Sequence, residues 1–420
     1  MNNEIAERIQ LIKEGNVPEG YRNHSDFKAP NDWDVLDLGK IMNFKNGLNY
    51  GKNDVGEEIK ILGVGDFQKN FYLNTNDLNK IKYSDLDMNY LLENGDLIFV
   101  RSNGNKELIG RVLYCENIEE KVTYSGFTIR GRLNSNNFLD KYCAYYCSSN
   151  LVKKQYMKNG GGTNINNLSQ DILSNVKITK PSIKEQEKII RIISAFDRLI
   201  KLKEKLLQEK QKQKKGLMER LLTEKIRING FNEKWKKVKL GTVMKERNEI
   251  GYNELELLAI TSANGVVRRT EVDIKDTSSE DKSKYKRILP GDIGYNTMRM
   301  WQGVSGLSKY EGIVSPAYTI LKPTEKVDSE FMSYLFKLPQ VINLFYRYSQ
   351  GLVSDTYNLK YENFKGIKVN IPAEVKEQKQ IATILRTADK EIDLLKKELE
   401  ALKQQKKGLT QLLLTGIVRV

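Results

Sequence analysis

The sequence predicts a mixed α/β protein in which two globular α/β domains alternate with two long helices that pair as an antiparallel coiled coil. Two observations support this prediction. Two similar segments of 46 residues occur at a constant separation of 192 residues, and both have the apolar spacing of a coiled coil. The stretches that precede them contain short apolar runs bounded by turn residues, which are typical of strands.

The repeated segments cover residues 183–228 and 375–420. They align without gaps, about 40% of their positions are identical, and they share K-E-Q near the start and Q-K-K-G-L and L-L-T near the end. Weaker matches link the preceding blocks, such as Trp33 with Trp235, and Gly95-Asp96-Leu97 with Gly291-Asp292-Ile293. The predicted organisation is an N-terminal segment 1–32, a first globular domain 33–182, a central helix 183–228, a second globular domain 235–374 and a C-terminal helix 375–420.

Each globular block has strand-like runs, among them residues 97–100 and 121–131 in the first and 317–322 and 367–372 in the second. Helices are expected around residues 138–148 and 329–349. Each block is therefore predicted to be an α/β domain.

The long segments are helical because apolar residues recur at alternating spacings of four and three. A proline lies just upstream of each segment and none lies within it, so both helices run uninterrupted. Two such helices in one chain most simply pair antiparallel with each other. The apolar seam positions that we expect at their interface are Ile189, Ile193, Phe196, Ile200, Leu207, Leu217 and Leu221 in the first helix and Ile381, Leu385, Ala388, Ile392, Leu395, Leu399, Leu402, Leu409 and Leu413 in the second.

Lys214 and Lys406 occupy equivalent positions of this seam. A lysine there is either a device that sets the register of the helices or part of a frayed, exposed end. The sequence favours the frayed end.

The chain carries 69 Lys and Arg against 54 Asp and Glu, a formal net charge of +15. Residues 183–228 hold 14 basic and 7 acidic residues, so much of the excess lies in the first long helix. This balance favours a polyanionic or acidic partner, although a solvated lysine-rich helix face is an equally ordinary explanation. No apolar run approaches the length of a membrane span, and we expect a cytoplasmic protein without a membrane partner.

The residue counts exclude several kinds of site. The chain has one histidine, His24, which excludes H-E-x-x-H metal sites and Ser–His–Asp triads; it is predicted to be a solvated linker residue. Cys143 and Cys147 are predicted to be buried small side chains, because two thiols without histidine do not complete a zinc site. We therefore expect no metal site.

No catalytic signature for DNA chemistry is present. The chain has no phosphate-binding G-x-x-x-x-G-K-[ST] loop, and its eight prolines are isolated, which excludes an Asn/Asp-Pro-Pro-aromatic motif. Asp54, Glu58 and Lys60 resemble a nuclease carboxylate set, but Glu-x-Lys is common in so charged a chain. The sequence predicts a non-catalytic protein.

Polar loops are the candidate binding residues. One follows the strand at 97–100 and the other occupies the equivalent place in the second block, and each block also has a glycine-rich stretch further on. Arg pairs with guanine, and Asn and Gln with adenine, so such loops suit the reading of base edges; an ordinary polar turn is the alternative. The predicted DNA-contacting residues are Arg101, Ser102, Asn103, Asn105, Lys106, Thr163 and Asn164 in the first block and Arg299, Trp301, Gln302, Gln350 and Ser354 in the second.

Two variable blocks alternating with two copies of a K-E-Q…Q-K-K-G-L…L-L-T helix resemble the specificity subunit of type I restriction-modification systems. The resemblance extends from Trp33 to the end of the sequence, whereas residues 1–32 depart from the compact members. It implies that each block is a target recognition domain for one half of a bipartite site on double-stranded DNA. It also implies that the helices set the half-site spacing and dock two modification (methyltransferase) subunits, which restriction subunits then join.

The resemblance further implies that this chain holds no cofactor, and that S-adenosylmethionine, ATP and Mg²⁺ belong to the partner subunits. Two other functions stay open. One is a coiled-coil protein–protein scaffold with variable binding domains, and the other is an enzyme that cuts or methylates DNA alone. The matched loops argue against the first, and the missing motifs argue against the second.

Overall fold

The computed structural model describes residues 3–24, 27–51, 55–67, 71–83, 87–159, 167–261, 264–271 and 281–420. The chain forms two compact units. The first consists of Met1–Leu202 and Leu399–Val420, and the second of Lys203–Glu398. Each unit therefore combines one globular block with a part of both long helices.

The helices and strands that begin in the first unit are α1 (Asn3–Lys13), β1 (Tyr21–Asn23), β2 (Lys28–Pro30), β3 (Asp34–Asp37), β4 (Met42–Asn46), β5 (Glu57–Leu62), β6 (Asn79–Tyr83), β7 (Leu97–Val100), β8 (Val112–Tyr114), β9 (Val122–Tyr124), β10 (Thr128–Leu133), α2 (Asp140–Cys147), α3 (Asn150–Asn159), α4 (Gln170–Ser174), β11 (Lys177–Lys180) and the long helix α5 (Ile183–Leu221).

Those that begin in the second unit are β12 (Lys236–Lys239), α6 (Leu240–Val243), β13 (Met244–Arg247), β14 (Leu258–Thr261), β15 (Gly265–Arg268), β16 (Lys286–Ile288), β17 (Ile293–Asn296), β18 (Ser305–Leu307), β19 (Gly312–Val314), β20 (Tyr318–Pro323), α7 (Ser329–Leu335), α8 (Pro339–Tyr348), α9 (Tyr361–Phe364), β21 (Lys368–Ile371) and the long helix α10 (Val375–Leu414).

The two units share one sheet topology. Each has a four-stranded antiparallel sheet, in the order β4-β10-β7-β8 in the first unit and β13-β20-β17-β18 in the second. In each, a two-stranded ladder joins the first strand of the block to the strand before the long helix, β3 with β11 and β12 with β21. The first unit adds the sheet β6-β5-β9 and the hairpin β1-β2, and the second adds the pairs β14-β15 and β16-β19. The mixed α/β class and the repeated architecture are confirmed.

Strand β7 shows why its sequence, LIFV, is apolar throughout. Leu97 and Phe99 pack in the core that contains α2 and the start of α5, while Ile98 and Val100 pack in a second core with residues of β5, β8 and β9. Side chains alternate between the faces of a strand, so a strand covered on both faces is apolar at every position.

The long helices pack antiparallel in each unit. In the first unit Ile189 and Ile193 of α5 share a core with Leu413 of α10, and in the second unit Leu221 of α5 shares a core with Ile381 of α10. Every predicted apolar seam position is buried or half-buried. The seam positions held by lysine, which are Lys203, Lys210 and Lys214 in α5 and Lys406 in α10, are half-buried as well.

These lysines form ion pairs between the helices. In the second unit Lys203 pairs with Glu398 at 2.6 Å, Lys210 with Glu391 at 2.6 Å, and Lys214 with Asp389. The residue number of the acidic partner falls as the residue number of the lysine rises, which is the pattern of antiparallel helices.

The preference for a frayed end at Lys214 and Lys406 is wrong. In the first unit Lys406 pairs with Asp197, which also accepts a hydrogen bond from Tyr145 Oη at 2.8 Å. In the second unit Asp389, the partner of Lys214, accepts one from Tyr334 Oη at 2.7 Å. Each lysine is thus fixed between both helices and the globular block, because a partly buried ammonium needs a partner.

The K-E-Q signature has a structural role. Glu185 is buried and accepts hydrogen bonds from Trp33 Nε1 at 3.1 Å and Arg419 Nε at 2.7 Å. Glu377, its counterpart, accepts from Trp235 Nε1 at 3.4 Å and from Arg227 Nη2 at 2.9 Å. The same Trp–Glu–Arg hydrogen-bonded arrangement therefore occurs in both units, at the start of each long helix.

The adjacent glutamine has a repeated role too. The Gln186 side chain accepts from the Leu139 N–H at 2.9 Å and donates to the Pro181 carbonyl at 3.0 Å, and Gln378 makes the same bonds to Asp328 and Pro372, at 2.8 and 3.0 Å. Each glutamine thus satisfies a backbone N–H at the start of a helix of the globular block, α2 or α7, and a proline carbonyl just before the long helix.

The cysteine prediction is confirmed and the histidine prediction is wrong. Cys143 and Cys147 are fully buried and free, and burial raises the pKa of both thiols. His24 is half-buried rather than solvated, because its ring stacks on Phe27 with the centroids 5.5 Å apart. Burial lowers the pKa of His24.

Asp54 lies outside the described residues. The other two members of that carboxylate set pair elsewhere, Glu58 with Lys80 at 3.2 Å and Lys60 with Glu120 at 2.6 Å. Over the described ranges, no helix is both long enough and apolar enough to cross a membrane.

Candidate nucleic-acid interface

The loop after β7 is joined to two other segments of the first unit. The Arg101 N–H donates to the Phe127 carbonyl at 2.8 Å, and the Arg101 carbonyl accepts from the Leu168 N–H at 2.7 Å. The Arg101 guanidinium donates to the Gly126 carbonyl at 3.2 Å. The strand end, the β9–β10 turn and the residues before α4 therefore form one surface.

The second unit repeats these bonds at Thr297, after β17. The Thr297 N–H donates to the Ala317 carbonyl at 3.4 Å, and the Thr297 carbonyl accepts from the Leu359 N–H at 2.9 Å. By backbone position Thr297 is therefore the counterpart of Arg101. The two units present different side chains from the same framework.

An ion pair made by a buried aspartate supports the opposite end of each of these strands. Asp96, at the start of β7, accepts from the Glu93 N–H at 2.8 Å and from Arg132 Nε at 2.7 Å, and this pairing raises the pKa of Arg132. Asp292, before β17, accepts from the Leu289 N–H at 2.9 Å and from Arg247 Nε at 2.7 Å. The repeated Gly-Asp-Leu/Ile motif thus anchors the strands that carry the loops.

Several predicted contact residues of the first unit also shape the loop. Asn103 Oδ1 accepts from the Asn105 N–H at 2.7 Å, and Asn105 Oδ1 accepts from the Glu107 N–H at 3.1 Å. Ser102 and Asn103 are half-buried, while Asn105 and Lys106 are exposed. The two asparagine carbonyl oxygens are therefore engaged within the loop.

Thr163 and Asn164 lie outside the described residues, in 160–166. Their predicted role in binding DNA stays a prediction.

The predicted residues of the second unit are brought together by aromatic contacts. Trp301 lies in the 3₁₀ turn Met300–Gln302 after Arg299, and its Nε1 donates to the Met298 carbonyl at 3.1 Å. Its ring contacts those of Tyr357 and Tyr346, with centroids 5.6 and 6.4 Å away. We call Trp301, Tyr346 and Tyr357 the aromatic cluster; it connects the loop after β17 with residues 350–358.

Residues 350–358 form a closed loop, called here the 350–358 loop. Gln350 and Asn358 exchange backbone hydrogen bonds of 2.9 and 2.8 Å. Between them, Thr356 Oγ1 accepts from the Leu352 and Val353 N–H groups, each at 3.2 Å. Gln350 and Ser354, both predicted contact residues, have exposed side chains.

The sequence did not single out Tyr346, Tyr357, Phe127 or Tyr50. Phe127 is 64% exposed at the tip of the β9–β10 turn, and Tyr50 is 46% exposed. Both line an open cleft of about 810 Å³, together with Asn49, Lys80 and Lys82. An exposed aromatic cannot be told from a core aromatic in a sequence, because the difference depends on which segments cover it.

Comparisons with known proteins agree with one another. The model of the type I restriction modification DNA specificity domain family matches residues 30–210 and 232–404. The chain is 26% identical to a putative type I restriction enzyme MjaX specificity subunit of Methanocaldococcus jannaschii, over 98% of this chain and 99% of that relative.

Two solved structures have a similar fold. A chain from a study of complex assembly and conformational transition of the type I R-M system has a TM-score of 0.60 at 15% identity, covering 93% of this chain and 100% of that chain. The HsdS subunit from Thermoanaerobacter tengcongensis has a TM-score of 0.51 at 16% identity, covering 94% and 99%.

Proposed function

This chain belongs to the family of type I restriction modification DNA specificity domains, and on that premise we propose that it is the sequence-specificity subunit of a type I restriction-modification complex. Residues 33–182 read one half of a bipartite site on double-stranded DNA, and residues 235–374 read the other. The chain supplies recognition and no catalysis.

One observation carries this proposal. The same backbone framework recurs in both units, yet it presents Arg101 in one and Thr297 in the other. A repeated framework suits two readings of one kind of ligand, and different side chains suit two different sequences. An asymmetric bipartite site is the ligand that fits both facts.

The partners follow from the repetition of the long helices. Two similar surfaces suit two copies of one partner, and we assign them to two modification subunits. Those subunits would bind S-adenosylmethionine and methylate one adenine in each half-site, and restriction subunits that use ATP and Mg²⁺ would join the same complex in the cytoplasm. In this assignment the paired helices hold the half-sites at a fixed spacing, as dimer geometry does in other DNA-binding proteins.

The test is methylation mapping by single-molecule sequencing in a host that expresses this chain with its modification subunit, compared with the same host lacking this chain. We expect a bipartite motif with adenine methylation that disappears when the chain is absent and returns when it is restored. An unchanged pattern of methylation would contradict the proposal and favour the protein–protein scaffold. Methylation or cleavage by the purified chain alone would instead favour an enzyme.

A further inference from the structure

The 350–358 loop presents a leucine to solvent. The Leu352 side chain is 99% exposed, and that of Val353 next to it is 59% exposed. We propose that Leu352 is a specificity-determining residue, which contacts the C5-methyl group of a thymine in the half-site read by the second unit, beside the adenine read by Gln350. This inference rests on the proposed function and adds to it the base pair that this loop recognises.

The loop has a defined conformation, so the backbone that presents the exposed leucine is held in place. Thr356 Oγ1 accepts from the Leu352 and Val353 N–H groups and donates to the Val353 carbonyl at 2.8 Å. Gly351 has a φ of +139°, and a Cβ there would lie 2.7 Å from the carbonyl carbon of Thr356. Only glycine fits this position. A loop ordered before binding loses little conformational entropy when it meets its ligand.

The position of the loop places Leu352 with the predicted contact residues. The Tyr357 ring contacts Trp301 of the loop after β17, and the Leu359 N–H donates to the Thr297 carbonyl at 2.9 Å. The 350–358 loop, which carries Leu352, is therefore joined to the loop that carries Trp301. Single exposed apolar residues are common on proteins, and it is this location on an ordered loop that distinguishes Leu352.

The chemistry of an A·T pair matches this loop. In the major groove adenine presents N7 and N6, which a glutamine side chain binds with two hydrogen bonds, and thymine presents its methyl group, the one apolar group on the base-pair edge. Gln350 and Leu352 offer an amide and an aliphatic group two residues apart, and both are exposed. One loop thus carries a partner for each base of the pair.

Exposed positive charge flanks the loop. Arg347 precedes it and Lys360 follows it, both are exposed, and neither forms an ion pair with another of the described residues. Cations of this kind position a protein on phosphates without reading sequence. The loop between them is then the part that supplies specificity.

The experiment measures binding by the assembled complex of this chain with its modification subunits. Once the motif is mapped, each thymine of the second half-site is replaced in turn by deoxyuridine, which removes only the methyl group. We expect one replacement to weaken wild-type binding about three- to fivefold, the factor expected for one buried methyl group. The same replacement should change binding by less than about twofold in Leu352→Ala, because the partner of the methyl group is already gone.

The matched control is Ile250→Ala. Ile250 is 57% exposed in the segment between β13 and β14, so the change removes a similar aliphatic group from the same unit. It should keep the wild-type response to deoxyuridine. Replacements in the first half-site should affect wild type and Leu352→Ala equally.

Three results would overturn the inference: a second half-site without thymine, a deoxyuridine effect of the same size in Leu352→Ala, or a loss of affinity in Leu352→Ala when no replacement affects the wild type. The third result would indicate that Leu352 is inserted between base pairs and does not contact a thymine methyl group. Failure of the proposed function is distinguishable, because no bipartite motif would then depend on this chain. If the motif depends on the chain and the replacements have no effect, only the role of Leu352 is rejected.

Discussion

At the scale of single residues, buried polar side chains position the surface that we assign to DNA. Asp96 and Asp292 anchor the strands that end in the loops after β7 and β17, and Glu185 and Glu377 bind a tryptophan at the start of each long helix. A buried carboxylate is costly unless it is paired and hydrogen-bonded, so each of these groups constrains its neighbours strongly. Each arrangement occurs in both units, although most of the residues around it differ between them.

The first prediction concerns Arg101. Replacing it with Ala should weaken specific binding by about 1–3 kcal/mol if its guanidinium contacts a base, and should relax the sequence only in the half-site read by the first unit. Arg299→Ala should do the same in the other half-site. Competition binding with single-base variants of each half-site measures both effects.

Lys106→Ala is the control in the same loop. An exposed lysine that contacts phosphate should weaken binding to all sequences equally. Because Arg101 also donates to the Gly126 carbonyl, the free energy of unfolding of the variant must be measured alongside. Unchanged affinity and an unchanged motif would remove Arg101 from the site.

The second prediction concerns Tyr124. It is fully buried, its hydroxyl makes no hydrogen bond with another described residue, and burial raises its pKa to about 12. The unfolded chain loses this proton near pH 10 while the folded chain keeps it. The stabilising contribution is therefore complete below pH 10 and is lost between about pH 10 and 12.

Urea unfolding at pH 8 and pH 11 tests this. Tyr124→Phe should be nearly neutral at pH 8, because an unpaired buried hydroxyl adds little stability. At pH 11 the variant should lose about 1 kcal/mol less than the wild type. An equal loss in both proteins would show that Tyr124 titrates normally.

At the scale of elements, the long helices are held in one register by polar as well as apolar contacts. Lysines at seam positions pair with acidic residues of the other helix. Two of these acids, Asp197 and Asp389, also accept hydrogen bonds from Tyr145 and Tyr334 of the globular blocks. A slip of one heptad would separate each of these pairs and leave partly buried charges without partners. Polar seam residues that fix register are familiar in coiled coils, and these lysines have that role.

The third prediction tests the register within the second unit. A short bismaleimide should cross-link Lys203→Cys with Glu398→Cys, because the two side chains they replace are in contact at 2.6 Å. Lys203→Cys with Glu391→Cys, one heptad away, should not cross-link. The native cysteines are buried and should not compete. Cross-linking is read from gel mobility after a single proteolytic cut between the helices, and equal yields for both pairs would contradict the register.

At the scale of the whole molecule, charge is distributed unevenly and part of it is neutralised internally. The excess of +15 lies largely in the long helices, where Lys203, Lys210, Lys214 and Lys406 are paired with acids of the opposite helix. Other lysines of α5, such as Lys205, Lys212 and Lys215, are exposed and have no ion pair among the described residues. These are the charges left for a polyanionic partner.

The fourth prediction follows from those free charges. Binding of the assembled complex should weaken steeply with salt, because each neutralised phosphate releases counterions and adds about −0.9 to the slope of log K against log salt concentration. Replacing Lys205, Lys212 and Lys215 together with Gln should make the slope less steep by up to about 3, for specific and non-specific DNA alike. Replacing Lys379, Lys397 and Lys407 of α10, which are also exposed and form no ion pair with the described residues, is the matched comparison. An unchanged slope in the first variant would assign its lysines to a protein partner or to solvent.

The sequence by itself determined the repeated architecture, the two long helices and the two strands, β7 and β17, that end in polar loops. These features depend on local periodicity, on turn residues after apolar runs and on self-similarity, all of which are written along the chain. The role of Lys214 was misjudged because its partner is an aspartate 175 residues away in the sequence. That of His24 was misjudged because a polar local sequence does not show that its ring stacks on Phe27 in the folded chain.

Only the tertiary structure decided which side chains are exposed and which loops meet. Arg101 and Leu168 are brought together by a backbone hydrogen bond across 67 residues, and Trp301 and Tyr357 by a ring contact across 56. In the sequence Leu352 cannot be distinguished from a core leucine. Its exposure results from the 350–358 loop, in which Thr356 Oγ1 accepts from the Leu352 N–H and Gln350 pairs with Asn358. The physical reason is that burial is a property of the segments that pack around a residue, and those segments are brought together only by folding.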